Sequence, residues 1–172
     1  IRDSFYIDPA RRAACNKRVF ALTDCEPDLL QLKPVLLANA LRTIVKISPM
    51  ADIGETLRLL PETREIHILA VKNECKELLF ILEPSQPAMS DSSVKIHAVN
   101  LLISSPNQEF IFQVQEEKKA VLQTTGEIAR YLYEPNAALL KSGAFKLIAV
   151  RYNLKKIHRH SHLYTSTKLC MQ

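Results

Sequence analysis

The sequence has no tryptophan and only three glycines, Gly54, Gly126 and Gly143, which lie far apart. A loop that cradles a phosphate or dinucleotide needs clustered glycines, so that backbone N–H groups can close on the anion. No such loop is present in this chain. None of the four cysteines, Cys15, Cys25, Cys75 and Cys170, forms a C-x-x-C pair. That excludes a zinc knuckle and a thioredoxin-type dithiol, and a reduced, cytoplasmic setting is the simplest expectation. No apolar run approaches the roughly 18 to 20 residues that cross a bilayer. No signal-like segment opens the sequence; Ile1 begins directly on a strand-like stretch, as expected of a piece whose N-terminal part is missing. Acid is also missing from one end: residues 135–172 hold seven Lys/Arg and no Asp or Glu, whereas residues 1–134 hold 16 Lys/Arg and 18 Asp/Glu. The net charge of +5 is therefore a property of the C-terminal end. Such polarity points to an anionic partner, nucleic acid first, against the plainer reading of a solvated face.

What remains is a globular composition, 172 residues with 47% hydrophobic and 24% charged. Apolar periodicity places a strand at 4–7, a helix at 28–41 with a second start near Pro34, a strand at 43–47, a helix at 52–60 and strands at 65–71 and 76–82. A polar loop at 12–17 and a short extended piece at 19–22 lie between the first two. Three strands separated by helical crossovers imply parallel pairing, and the short N-E-C connection forces the last strand to run antiparallel, which gives half of an open α/β sheet with a reversed edge strand. The stretch at 84–93 is a linker by composition, followed by two strands, V-K-I-H-A-V-N-L-L-I and E-F-I-F-Q-V, as a small separate β unit. Helices are expected at 125–133, at 135–142 closed by Gly143, and at 145–152 with Asn153 as a left-handed cap. An extended segment at 162–165 follows.

In open α/β sheets, ligands sit outside the carboxyl ends of the strands. Asp8-Pro9-Ala10-Arg11 lies at one such end and Ser48-Pro49-Met50 at the next. Proline stiffens each loop, and a carboxylate can accept hydrogen bonds from a ligand's N–H groups. Lys46, in an apolar strand, is expected to snorkel to the strand tip and form an ion pair. Arg11 and Arg12 could contact phosphate or pair with Asp8. Cys25 reads as a small buried residue rather than a nucleophile. His158, His160 and His162 in H-R-H-S-H share a face if extended, but no acid or cysteine lies nearby in sequence, so no metal site is expected. With Lys155, Lys156 and Arg159 they read instead as a basic surface for an RNA backbone.

D-P-A-R after an apolar strand resembles the fourth motif of class I S-adenosylmethionine-dependent methyltransferases. The strand order is similar to that fold from its fourth strand to its seventh, reversed last strand included. The segments T-D-C-E-P-D, K-I-S-P-M-A-D-I, V-K-N-E-C-K-E-L-L-F, R-Y-L-Y-E-P-N-A-A-L-L-K-S-G-A-F-K and H-S-H-L-Y-T-S together resemble a bacterial methyltransferase family with ferredoxin-like and THUMP-like C-terminal parts. The resemblance covers about residues 3 to 167. It implies an α/β fold: the C-terminal half of a Rossmann-like methyltransferase sheet over 1–84, a linker and small ferredoxin-like β unit over 85–123, and a basic THUMP-like α+β domain over 124–172.

It further implies that Asp8 and Pro9 receive the target group, with Arg11 beside them and Arg12, Lys46 and Ser48 lining the substrate side. S-adenosylmethionine is the implied donor and RNA the implied partner. Arg11 stands where amino-methylating members carry a stacking aromatic. Ser48 in I-S-P-M stands where the uridine-C5 enzymes place a nucleophilic cysteine, which disfavours covalent attack on a pyrimidine and favours direct transfer to a base nitrogen. Without a glycine-rich loop the chain alone is expected to bind the donor poorly and to be inactive. The alternatives are a noncatalytic RNA-binding or assembly module using the basic end, and a different Rossmann-like enzyme such as a dehydrogenase, against which the reversed strand argues.

Overall fold

The computed structural model describes residues 2–11, 25–84 and 93–170. The polar loop at 12–17, the extended piece at 19–22, most of the linker at 84–93, Arg12, and the side chains of Arg11 and Cys25 fall outside the described residues.

Strand β1 (Arg2–Ile7) is followed by a two-residue strand β2 (Ala10–Arg11), which pairs antiparallel with β3 (Cys25–Glu26). Helix α1 (Leu29–Asn39) begins at Asp28, whose carboxylate accepts from the N–H groups of Leu30 and Gln31 and so satisfies two donors that a helix start leaves open. The helix runs through Pro34 without the second start expected there. Strand β4 (Ala40–Ile47) lies parallel to β1, with Phe5 beside Thr43 and Ile7 beside Val45. Helix α2 (Ile53–Leu59) is capped by Asp52, which accepts from Glu55 N–H at 2.7 Å.

Strands β5 (Thr63–Val71) and β6 (Glu74–Leu82) form a hairpin. Its turn residues, Lys72 and Asn73, have φ of 50° and 63°, the pair of left-handed conformations that matches strand twist in a two-residue turn. Strand β6 inserts between β4 and β5 and runs antiparallel to both. Thus β1, β4 and β5 point one way and β6 the other: the reversal is as read from the sequence, but β6 lies inside the sheet rather than at its edge. Strand β7 (Lys95–Leu101) then pairs parallel to β5, and β8 (Gln108–Gln113) antiparallel to β7. The sheet order is β1-β4-β6-β5-β7-β8.

This corrects the expectation of a separate β unit. Strands β7 and β8 extend the main sheet, because β5 would otherwise leave a row of unpaired backbone groups at its edge. Ile96 and Ala98 also continue the apolar surface begun by Ile66 and Ile68.

The C-terminal part holds α3 (Val114–Lys119), β9 (Tyr131–Tyr133), α4 (Ala137–Ser142), α5 (Phe145–Arg151), β10 (Lys155–Lys156) and β11 (Tyr164–Ser166). A second sheet has the order β10-β11-β9. The helix expected at 125–133 is not formed: Gly126 turns the chain at φ 71°, and Tyr131–Tyr133 pairs with β11. Thr165 fixes this arrangement, its hydroxyl accepting from Ala129 N–H and donating to the Tyr131 carbonyl, both at 2.8 Å. Helix α4 starts at Asn136, which accepts from Leu139 N–H, and stops at Gly143 in the left-handed region, φ 76°. Asn153, after α5, has φ 51°, the left-handed residue expected there.

One face of the main sheet, carrying Val45, Phe80, Ile66, Ile68, Ile96 and Phe110, forms a single apolar cluster with Leu29, Leu57, Leu139 and Ile148. Leu29, Ile66, Ile68 and Phe80 are fully buried. The opposite face presents Ile44, Lys46, Leu79, His67, His97 and Ile111, all half-buried or exposed. No helix among the described residues is long and apolar enough to cross a membrane.

Candidate functional site

Parallel pairing of β1 and β4 brings their carboxyl ends to one rim. Asp8 and Pro9 leave β1 there, and Ser48 leaves β4 beside them. The two proline-containing tips thus share an edge of the sheet, as the sequence pattern anticipates. Lys46 crosses to Asp8: its Nζ lies 2.7 Å from Oδ2, with the two side chains 33% and 50% exposed. The hydrogen bond to Asp8 holds the Lys46 pKa above the ordinary lysine value, against the opposing effect of burial, with smaller contributions from the charges of Asp8, Tyr6 and Glu77. The ion pair fixes where the Asp8 carboxylate points, and a carboxylate so held can accept a hydrogen bond from a donor group and orient it.

Ser48 sits in a braced turn. Its Oγ accepts from Met50 N–H at 3.3 Å, and its carbonyl accepts from Ala51 N–H at 3.0 Å. Lys141, on α4, donates to the Ala51 carbonyl at 2.7 Å, so the C-terminal part of the chain supports this loop from below. Asp52 then opens α2. Two clefts lined by described residues, of 310 and 480 Å³, lie in the C-terminal part, the larger beside Asn153, Lys155, Thr165 and Lys168.

The basic residues do not form one surface. Lys155 and Arg159 are exposed, but Lys156 is buried, its ammonium donating to the Arg159 carbonyl at 3.1 Å. Period-two alternation on β10 explains the split, since neighbouring side chains point to opposite faces. His158 and His160 lie with their rings tilted by 50° and centroids 5.4 Å apart, while His162 packs on Phe145 at 4.2 Å. The three histidines of H-R-H-S-H are thus divided between two surroundings.

Pairing registers place Lys46, Leu79, His67, His97 and Ile111 in one row across β4, β6, β5, β7 and β8. Sequence reasoning missed the part of that row where His67 and His97 meet beside Glu65. Glu65-Ile66-His67 signals one face of a strand, but only the β5–β7 register brings the second histidine alongside.

A solved structure shares this fold. The crystal structure of a candidate methyltransferase from Porphyromonas gingivalis W83 is 43% identical over 97% of this chain, with a TM-score of 0.88. The match covers 40% of that protein, so the present chain spans well under half its length. Residues 131–172 match a family described as a ferredoxin-like domain. That match falls on the segment where the sequence resemblance suggested a THUMP-like unit, and not on 85–123. No curated protein matches the chain.

Proposed function

We propose that this chain supplies the substrate-receiving half of an S-adenosylmethionine-dependent methyltransferase acting on RNA. The observation that carries the reading is the Asp8-Pro9 tip held by Lys46 on the carboxyl rim of a β1-β4-β6-β5 array with reversed β6. The 43% identity to a candidate methyltransferase over nearly the whole chain supports it. In this reading Asp8 accepts a hydrogen bond from the target group while Pro9 fixes the tip. Lys46 acts as a positioning residue that holds the carboxylate through Oδ2. Ser48 lines the substrate side, the resemblance alone assigns Arg11 and Arg12 to it, and the exposed Lys155 and Arg159 meet the RNA backbone.

Ser48 cannot replace a thiolate. Transfer to a base nitrogen, whose lone pair needs only placement, suits the site better than covalent attack on carbon. The donor would be held by glycine-rich chain that these residues do not contain, so we infer that this chain alone is inactive. Its predicted setting is the reduced cytoplasm.

Two measurements test this. Calorimetric titration of the chain with S-adenosylmethionine should show no micromolar binding; such binding would contradict the division of labour. In a protein that joins this chain to a donor-binding unit, methyl transfer from labelled donor to RNA should fall at least about 100-fold in Asp8→Ala, a loss in the range expected when positioning fails. Unchanged transfer would remove Asp8 from the site.

A further inference from the structure

Beyond methyl transfer, we propose that Glu65, His67 and His97 form a binding site for a divalent first-row transition metal ion, zinc being the expected occupant. Glu65 and His67 are two residues apart on β5 and so share a face. The parallel register of β5 and β7 sets His97 directly beside His67. The two imidazoles stack with centroids 4.3 Å apart and planes 9° from parallel. Glu65 Oε2 lies 3.3 Å from His67 Nε2 and 3.7 Å from His97 Nε2, and the three ligand atoms all lie within 4.8 Å of one another. A tetrahedral ion with bonds of about 2.0–2.1 Å separates its ligand atoms by about 3.3 Å. Each imidazole lone pair lies in its own ring plane, so the stacked rings do not converge on one point until one turns out of the stack; His67, 31% exposed, has room to make that turn.

A second observation points the same way. His97 Nε2 is buried and has no hydrogen-bond partner, although it faces Glu65 and His67. On the other side of the ring, Nδ1 lies 3.3 Å from Glu109 Oε1 on β8. When Nδ1–H donates to that carboxylate, the neutral ring presents its Nε2 lone pair toward the cluster. Metal-bound histidines are commonly oriented by this carboxylate–imidazole pairing. Glu65 divides its oxygens: Oε1 lies 3.9 Å from Lys95 Nζ, which leaves Oε2 for the ion. Two imidazoles and one carboxylate suit zinc or iron(II) over calcium or magnesium, which prefer oxygen alone. The half-open site leaves a coordination position for water.

The test uses untagged, chelator-stripped protein with zinc chloride and cobalt(II) chloride as probes. Zinc is titrated against a chromophoric chelator, and cobalt is followed by its visible spectrum. The expected result is one equivalent bound, with affinity lowered at least about tenfold in His67→Ala and in His97→Ala. Glu109→Gln should weaken it by about 10- to 100-fold through loss of ring orientation. A triple replacement of His158, His160 and His162 by Ala should leave it unchanged. Because His67 lies on the sheet surface, His67→Gln serves as a second variant should His97→Ala misfold by circular dichroism. Absence of stoichiometric binding overturns the proposal. So does binding that survives both His67 variants but disappears in the triple variant.

Discussion

Lys156 has 3% of its surface exposed, and its ammonium lies 5.3 Å from the centroid of the Phe145 ring. Burial pushes its pKa below the ordinary lysine value, with Glu117 opposing weakly. Between the lowered folded value and the ordinary unfolded one, the unfolded chain binds more protons. Stability therefore rises with pH through the interval just below the usual lysine range. Tyr164, fully buried and donating to the Phe145 carbonyl at 2.8 Å, acts in the opposite sense. Its pKa is raised, chiefly by burial, so above about pH 10 the unfolded chain loses this proton first and stability falls. Chemical denaturation of wild type and Lys156→Met from neutral pH to about pH 10 isolates the first effect. The difference in stability should shrink as pH rises, with the variant ahead at neutral pH; a constant difference would show that Lys156 pays no burial penalty. The sequence K-K reads as two solvated cations, and only the strand periodicity of β10 separates them. Lys46 was more legible, because a lone cation in an apolar strand one residue from its end has few ways to remain hydrated.

At the scale of elements, α5 starts without a cap of its own, since Ala144 offers no side-chain acceptor. Glu117 on α3 provides one from elsewhere, accepting from Lys146 N–H at 3.0 Å and Leu147 N–H at 2.8 Å. Glu117→Ala should cost about 0.5–2 kcal/mol, the usual loss for a helix-start acceptor, read from urea denaturation midpoints. Glu116 next to it caps α3 by accepting from Gln113 N–H and pairs with Arg151 at 2.9 Å. The Gln113 N–H is the main cause of its lowered pKa, so this stabilisation is present above the ordinary carboxylate value and lost as pH falls through the folded one. Wild type should lose more stability than Glu116→Gln between about pH 5 and pH 3 in matched thermal melts.

The β5–β6 turn makes a separate prediction. Asn73 combines φ 63° with a side chain that accepts from Ala137 N–H at 2.7 Å. Asn73→Ala should therefore melt below Asn73→Gly by the equivalent of about 1 kcal/mol, because both lose the contact with Ala137 and only alanine strains the turn. The helix ends at Gly143 and Asn153 and the strand–helix alternation of residues 28–82 were readable, since the pattern is local. Helix α3 and strand β9 were not: Glu116 and Glu117 act across the fold, and Tyr131–Tyr133 becomes a strand only once β11 is there to pair with it.

Across the whole molecule, the three-part division read from composition meets a continuous core. Helix α4 packs on β5, β6 and β7, and Leu139 and Ile148 belong to the same apolar cluster as Phe80 and Ile66. Polar ties reinforce the seam: Asn136 donates to Gln108 at 3.0 Å, and Lys141 to the Ala51 carbonyl at 2.7 Å. Composition can mark a linker, but it cannot show that the segments on either side share one hydrophobic face. Burial of that face is the main favourable term in folding, and residues that share it unfold together. Calorimetry of the chain should therefore show one transition, with calorimetric and van't Hoff enthalpies in agreement. A truncation ending at residue 123 removes α4, α5 and Leu154 and exposes Ile66, Ile68 and Phe110 to water. It should aggregate, or bind a hydrophobic dye without a cooperative melt. Two resolved transitions, or a soluble 1–123 piece that melts cooperatively, would show that the sheet and the ferredoxin-like segment stand independently. Lys141 could not then be the brace that holds the Ser48 loop beside Asp8.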